Sequence, residues 1–343
     1  MSVEYTQEQW NALVAPFAPI SGAFLQSFAW GEFQQSQGRE VKRIVVNVNP
    51  LLFMGELGGG GGPRGAEPQG TRTAIAQAVK LKAPLRMTYW LVPKGPIGDA
   101  SSTAMRDSVV AALGASTDYI RTESAERLPR SIATKDMHPH TTRLIDLTQG
   151  YDAVFGDFHT RVRYNTRLAK KKGVICEFVS LDRFEEFVEL MKQTAERDEF
   201  SIHEIAYYRS MIERLGAEPS CHAKLAIASK DGTPLAATLT IDAFGTRTYL
   251  HGASGNMMRE LKATHVLQDF VIHDAITSGM IRYDFWGIAP EGSSSKHPWA
   301  GITEFKKAFG GYVYATAGTF DIPVNIPKYI IYRVAKAVRG VVR

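Results

Sequence analysis

Apolar positions along the chain recur with two periods, and the switches between them mark out helices and strands. Thr6 with Gln9 three residues on forms a capping box, and Trp10, Leu13, Val14 and Phe17 follow at helical spacing. A second helix is predicted from Ser27, with Trp30 and Phe33 turned inward and Gly38 as its stop. Residues 41–48 alternate as a strand, 73–82 and 86–92 read as a strand pair around Pro84, and a helix over 102–113 precedes a strand over 118–122. Residues 58–70, rich in Gly with Pro and Gln, read as a low-complexity loop and receive no function.

After 144–147 the same kinds of element begin again. A helix over 151–172 places Phe155, Phe158, Val162, Asn165 and Ala169 on one stripe. Asp182 with Glu185 is expected to cap the next, whose inner stripe is Phe184, Phe187, Val188, Met191 and Ala195. Tyr208, Met211, Ile212 and Leu215 define another, ended by Gly216. From 223 to 252 the pattern becomes a three-stranded antiparallel meander, with turns at Asp231-Gly232 and near Gly245. A helix expected to start at a Thr264 cap buries Val266, Leu267, Phe270, Val271 and Ala275, stops at Gly279 and feeds the strand YDFWG. Helices, meander, helix, strand is the layout of a GNAT-type acyltransferase domain, and the first half repeats it more loosely. The expected fold is therefore α/β, with two GNAT-like subdomains related by duplication and mixed sheets flanked by helices.

At 343 residues and 44% apolar composition the chain is long enough for two domain cores. Two cysteines, Cys176 and Cys221, form no CxxC pair and too small a set for a disulfide framework, which fits a reducing cytoplasm. The N-terminus lacks a basic and then apolar leader, and no run of eighteen apolar residues occurs, so neither secretion nor a membrane span is expected. Net charge is +5, and its distribution changes the picture more than its size. Arg161, Arg163, Arg167, Lys170, Lys171 and Lys172 crowd one segment with no acid among them. The tail adds Lys328, Arg333, Lys336, Arg339 and Arg343, again without an acid. Such surfaces suit nucleic acid, phosphate or an anionic lipid surface. Arg163, Arg167 and Lys170 share a helical face and are the candidate polyanion contacts, with Asn165 a packing or hydrogen-bonding residue.

The segment from Ile281 to Gly311 concentrates the candidate chemistry. Asp284 sits inside an aromatic core strand, where a carboxylate without a partner is costly, so it is either a paired structural group or a substrate-amine or general-base group. A loop rich in Gly, Ser and Pro over 289–300 leads into a short helix carrying Phe305, Lys306 and Lys307. Tyr283 and Trp286 read as core or pocket wall. His138 and His140 form an HxH pair beside Asp136, but nothing nearby completes a metal site.

The segments FLQSFAWGEFQQSQG (from Phe24), LVPKGPIG (from Leu91), FHTRVRYNTRLAKKKGV (from Phe158), YLHGAS (from Tyr249), YDFWGI (from Tyr283) and GITEFKKAFGG (from Gly301) occur in this order. Together they resemble the successive signatures of the Fem (FemABX) family of tRNA-dependent aminoacyltransferases, which build peptidoglycan interpeptide bridges. The resemblance spans nearly the whole chain, in a compact form without a coiled-coil arm. It implies a first subdomain over 1–148, completed by 321–343 returning to it, and a second over 149–320. It also implies an aminoacyl-tRNA donor, no cofactor, and as acceptor the side-chain amine of a stem peptide on a lipid-linked or nucleotide-linked precursor.

By position in the motifs, Lys306 becomes the cation near the developing oxyanion or the tRNA 3′ end, with Phe305 either a packing residue that aims it or a platform for a terminal base, and Lys307 beside it toward the tRNA. Lys94 falls in the element that lines the precursor cleft. His203 stands about where members acting on the nucleotide-linked precursor use an arginine, which leans the reading toward the lipid-linked form. His251, Tyr283 and Trp286 complete the expected substrate contacts. An activated ester needs positioning, a free amine and oxyanion stabilisation but no covalent nucleophile, consistent with the lack of a Ser-His-Asp or Cys-His signature. Pro327 opens a tail helix with Ile330, Val334, Val338 and Val341 on one side, suited either to peripheral contact with the inner membrane leaflet or to docking on the first subdomain. The competing functions are an acyl-CoA-dependent GNAT and a non-catalytic RNA-binding relative. The segment GNMMRELKA lacks the GxG/A cradle of the former and carries Arg259 and Lys262 instead.

Overall fold

The computed structural model describes residues 4–48 and 72–341. The low-complexity 58–70 segment lies outside them. The chain divides into two compact units, one of residues 1–19, 34–138 and 316–343, the other of 20–33 and 139–315.

Unit 1 opens with α1 (Gln7–Val14), held by the Thr6–Gln9 capping box that the sequence announces. Its sheet contains β1 (Val41–Val48), β2 (Arg72–Ala83), β3 (Met87–Val92), the short β4 (Ile97–Gly98) beside β2, β5 (Tyr119–Thr122), β6 (Ile132–Ala133) and, from the far end of the chain, β14 (Phe320–Pro323). The order is β1-β2-β3-β5-β14-β6. β1, β2 and β3 are an antiparallel meander, β5 runs parallel to β3, and β14 is antiparallel to β5. A helix, α3 (Ser102–Leu113), precedes the parallel strand and buries Val109 and Leu113 with Trp90 and Ile120. A second cluster joins Tyr89, Leu91 and Tyr119 to Tyr329 and Tyr332 of α10 (Ile326–Val341).

Unit 2 repeats the plan with β7 (Thr141–Asp146), β8 (Ile175–Val179), β9 (His222–Lys230), β10 (Thr233–Ala243), β11 (Thr246–Ser254), β12 (Arg282–Gly287) and β13 (Tyr312–Ala315), in the order β13-β7-β12-β11-β10-β9-β8. Strands β9, β10 and β11 form the meander, α8 (Ala263–Thr277) follows, β12 runs parallel to β11, and β7 is antiparallel to β12. Six strands match in order and direction, β1-β2-β3-β5-β14-β6 with β9-β10-β11-β12-β7-β13, which is the expected duplication in mixed sheets, while β4 and β8 have no counterpart. One face carries α6 (Phe184–Arg197), α7 (Ile205–Leu215) and the 20–33 segment with the start of α2 (Phe28–Ser36). Phe24, Leu25, Trp30 and Phe33 are all buried there, which is why 20–33 belongs to unit 2 by packing while its sequence neighbours belong to unit 1. The other face carries α8 with α4 (Tyr151–Asp157) and α5 (Thr160–Lys171).

Three helix boundaries differ from the sequence expectation. The single helix over 151–172 is broken, because Phe158 is extended and the His159 side chain accepts the Arg161 amide as the cap of a new helix. Asp182 does not cap α6; it accepts from Ser180 in a 3-10 turn, and the helix follows Arg183. Thr264 lies inside α8, whose cap position is Lys262 at φ +55°.

The tail strand and helix are fastened by one buried ion pair. Arg121 of β5 donates to Asp321 of β14 through Nε (2.7 Å) and Nη2 (3.0 Å), and Tyr329 Oη donates to the same carboxylate at 2.8 Å. Removing one member of such a pair strands the other charge out of water, so Asp321→Ala is expected to cost about 3–5 kcal/mol. A urea unfolding curve measures this, and an unmoved midpoint would show that the pair holds nothing.

Candidate active site

Within β12, Tyr283 and Phe285 point into the cluster beneath α8, while Asp284, fully buried, faces the other way. Its Oδ2 accepts from Ser21 Oγ (2.8 Å) and the Gly22 amide (3.1 Å); its Oδ1 accepts from the Trp286 amide (2.8 Å) and faces the Thr142 hydroxyl. The Thr142 hydroxyl also lies 2.7 Å from the Trp286 carbonyl, so its single proton is shared between the two acceptors. Asp284 is thus surrounded by donors from the 20–22 turn, β7 and its own strand. This is the arrangement of a paired structural carboxylate, with three full donors and a share of the Thr142 proton.

The same contacts bend the strand. Trp286 sits at φ +60°, and the β12–β7 register slips between Asp284 and Gly287. The bulge turns the Trp286 ring against Phe24 (5.8 Å between centroids) and leads into Gly287. A Cβ on Gly287 would lie 2.6 Å from Pro139, so only glycine fits this approach.

The Gly287 carbonyl accepts from Lys306 Nζ at 2.6 Å. Lys306 stands on α9 (Ala300–Lys307), whose first turn is fixed by Thr303: its hydroxyl accepts the Ala289 amide at 2.8 Å and donates to the Trp299 carbonyl at 2.6 Å. Lys306 is 6% exposed, and its Nζ lies 5.6 Å from the centre of the Tyr249 ring. Burial lowers its ammonium from the ordinary 10.5 to about 7, with Asp284 pulling the other way. The amine can therefore hold or release a proton near neutral pH. Tyr249 in turn needs Gly252, where a Cβ would sit 1.6 Å from the phenol oxygen.

The remaining expected residues separate into distinct places. A bulge in β11 places Leu239 opposite His251 and Thr240 opposite Tyr249, so these two side chains, two residues apart, face opposite sides of the sheet. His251 packs edge-on against Tyr208 and lies 6.1 Å from the exposed His203 ring. Burial, then His203, lower His251 to about 3, so it is neutral at physiological pH. Lys94, in unit 1, is buried at φ +50°, and its amide donates to Glu123 Oε2 at 3.3 Å. Glu123 also accepts the His138 amide (2.9 Å), His138 Nδ1 (2.8 Å) and Thr319 Oγ1 (3.2 Å). Burial pushes this carboxyl up, but His138 and Lys94 outweigh it and hold it at about 2. His138 is thus engaged with a carboxylate, and no group of three or more His, Cys, Asp or Glu side chains suited to a metal ion occurs among the described residues.

Several expectations are corrected by packing. Tyr283 is not a substrate contact: it is wholly buried, with its hydroxyl on Gln268 Oε1 at 2.7 Å. Phe305 stacks edge-on with His265 and Phe309, which makes it a packing residue and not a platform for a base. Arg163 donates to the Gly156 carbonyl (2.5 Å) and to that of Phe158, closing the end of α4 and not a phosphate site. Lys170 pairs with Asp269 at 2.7 Å, though more than half of it stays exposed. Arg167 is exposed over the Phe155 ring, and Lys307 is exposed and paired with Glu304 at 3.1 Å. Glu123 and Ser21 were not singled out by sequence; an acid directly after a buried strand was the available signal for the first.

Comparison with known proteins adds four findings. A family model described as the FemAB family matches residues 130–231 and 213–337. Lipid II:glycine glycyltransferase of Staphylococcus aureus (strain COL) is similar, 23% identical over 90% of each chain. Among solved structures, the crystal structure of FemX superposes with a TM-score of 0.75 at 19% identity, covering 96% of this chain and 98% of that one. The structure of L-PGS from Bacillus licheniformis has a TM-score of 0.54 at 10% identity, covering 97% and 98%. At these identities the two structures speak for the fold.

If the Asp284 carboxylate is the clamp described, Asp284→Ala strands several buried donors and lowers stability by about 3 kcal/mol or more. Urea unfolding followed by tryptophan fluorescence tests it; a carboxylate acting only on substrate leaves the midpoint unchanged.

Proposed function

The chain belongs to the FemAB family, and from that membership we propose that it moves an amino acid from aminoacyl-tRNA to the side-chain amine of a peptidoglycan precursor's stem peptide, in its lipid-linked form. The lean toward a lipid-linked acceptor draws on the named activity of the similar staphylococcal glycyltransferase and on His203 at the position where an arginine was expected. The observation that carries the chemistry is Lys306: a buried amine held on the Gly287 carbonyl, with its proton affinity lowered by burial to about 7.

In the reaction, the acceptor nitrogen attacks the ester carbonyl carbon. A C–N bond forms, the C–O bond to the terminal ribose breaks, and one proton passes from the amine to the departing ribose oxygen. Lys306 in its protonated form stabilises the oxyanion and is the source of a proton for the leaving oxygen. A bound tRNA end brings negative charge to the amine and restores the proton affinity that burial removes. Asp284 acts through the bulge that aims the Gly287 carbonyl. His203 with neutral His251 and Trp286 are assigned to the precursor; Arg167, Lys170 and Lys307 are assigned to the tRNA.

The test is a transfer assay with charged tRNAs and both precursor forms, read as mass added to the stem peptide. Lys306→Met is expected to lower kcat by about 10²–10³-fold with little change in KM. Because the lysine is protonated below about 7 and neutral above it, kcat/KM should fall as pH rises through that value, and Lys306→Met should lack this limb. A rate that climbs through the same window makes the lysine a base and removes the oxyanion role. Transfer from acyl-CoA in place of tRNA would defeat the donor assignment.

A further inference from the structure

Helix α10 has two apolar sides, and only one is used. Tyr329 and Tyr332 are buried against Tyr119, while Arg333 donates to the Ala133 carbonyl at 3.0 Å and Lys328 to Asp118 at 3.1 Å. On the opposite side Ile326, Ile330, Ile331, Val334 and Val338 are 61%, 56%, 60%, 58% and 59% exposed. At 100° per residue these five cover a continuous arc of about 140°, wider than chance exposure of single residues gives. Lys328 lies beyond one edge of the arc and Arg333 beyond the other.

We propose that this face is a peripheral membrane-binding surface that lies on an anionic bilayer, aliphatic side chains in the acyl boundary and the flanking cations at the headgroups. Three observations select lipid over a protein partner. From 322 to 343 the chain carries five cations and no acid, so a second copy laid on this face meets like charge. The helix's aromatic side chains are turned inward, leaving on the outer side the Ile and Val that lipid accepts and that seldom anchor protein interfaces. No described helix is long and apolar enough to cross a membrane, so α10 would lie on the surface. The ion pair of Arg121 with Asp321 and the Tyr329 hydroxyl fix the helix so that this side stays outward when lipid is absent.

The test is sedimentation of the full chain with phosphatidylglycerol-containing vesicles and with pure phosphatidylcholine vesicles, neither containing any precursor, so the outcome does not depend on which acceptor the enzyme uses. Binding to the anionic vesicles that weakens with salt is expected, together with at least a ~10-fold loss in Ile330→Glu/Val334→Glu. Both side chains are already exposed, so the double variant should fold, which its circular dichroism and melting temperature check. Equal binding by the double variant overturns the proposal. So does absence of binding to either vesicle, or a concentration-dependent dimer that the double variant abolishes.

Discussion

A single buried carboxylate sets the geometry of unit 2 around its candidate site. Asp284 cannot remain charged inside a sheet without donors, and the donors it recruits come from three stretches of chain: Ser21 and Gly22, Thr142, and the Trp286 amide. Meeting that demand binds the 20–33 segment to unit 2 and forces β12 out of register just before Gly287. The bulge then presents the Gly287 carbonyl to Lys306. An electrostatic requirement at one residue therefore becomes a positional specification at another.

Lys306 illustrates the reverse dependence, in which position sets chemistry. On the surface a lysine is a permanent cation; here burial lowers it to about 7, where its charge responds to what binds. The two sheets share the order and direction of six strands, yet among the described residues this arrangement occurs in unit 2 alone. In unit 1 the chain leaving the equivalent parallel strand carries Glu123, held ionised by His138 and Lys94. Duplication has kept the scaffold while the end of the fourth strand diverged in charge.

Periodicity located the helices, both meanders and the parallel strand after each, because long amphipathic stripes and Gly-marked turns such as Asp231-Gly232 are local properties, but it gave no sign of the short or edge-lying strands β4, β6, β7, β8, β13 and β14. It failed at Phe158-His159, Asp182 and Thr264 for a common reason. Cap-forming residue types are compatible with several positions, and the choice among them is made by contacts elsewhere, such as the His159 amide donating to the Ala308 carbonyl at 2.8 Å. Candidate residues fared according to how far their role depends on neighbours. Lys306 stood out from its motif, whereas Tyr283, Phe305 and Arg163 have side chains that suit either a substrate or a core.

By itself, then, the amino-acid sequence determined the mixed α/β class, the doubled meander-helix-strand plan and the family, since these rest on local spacing and on the order of motifs. Tertiary structure alone decided that Asp284 is surrounded by donors, that His251 and Tyr249 face opposite sides of the sheet, and that α10 docks by its tyrosines and leaves its aliphatic side open. Each of these depends on which distant groups come within hydrogen-bond or van der Waals reach, and on a one-residue bulge in β11. Such contacts leave no periodic trace in the chain.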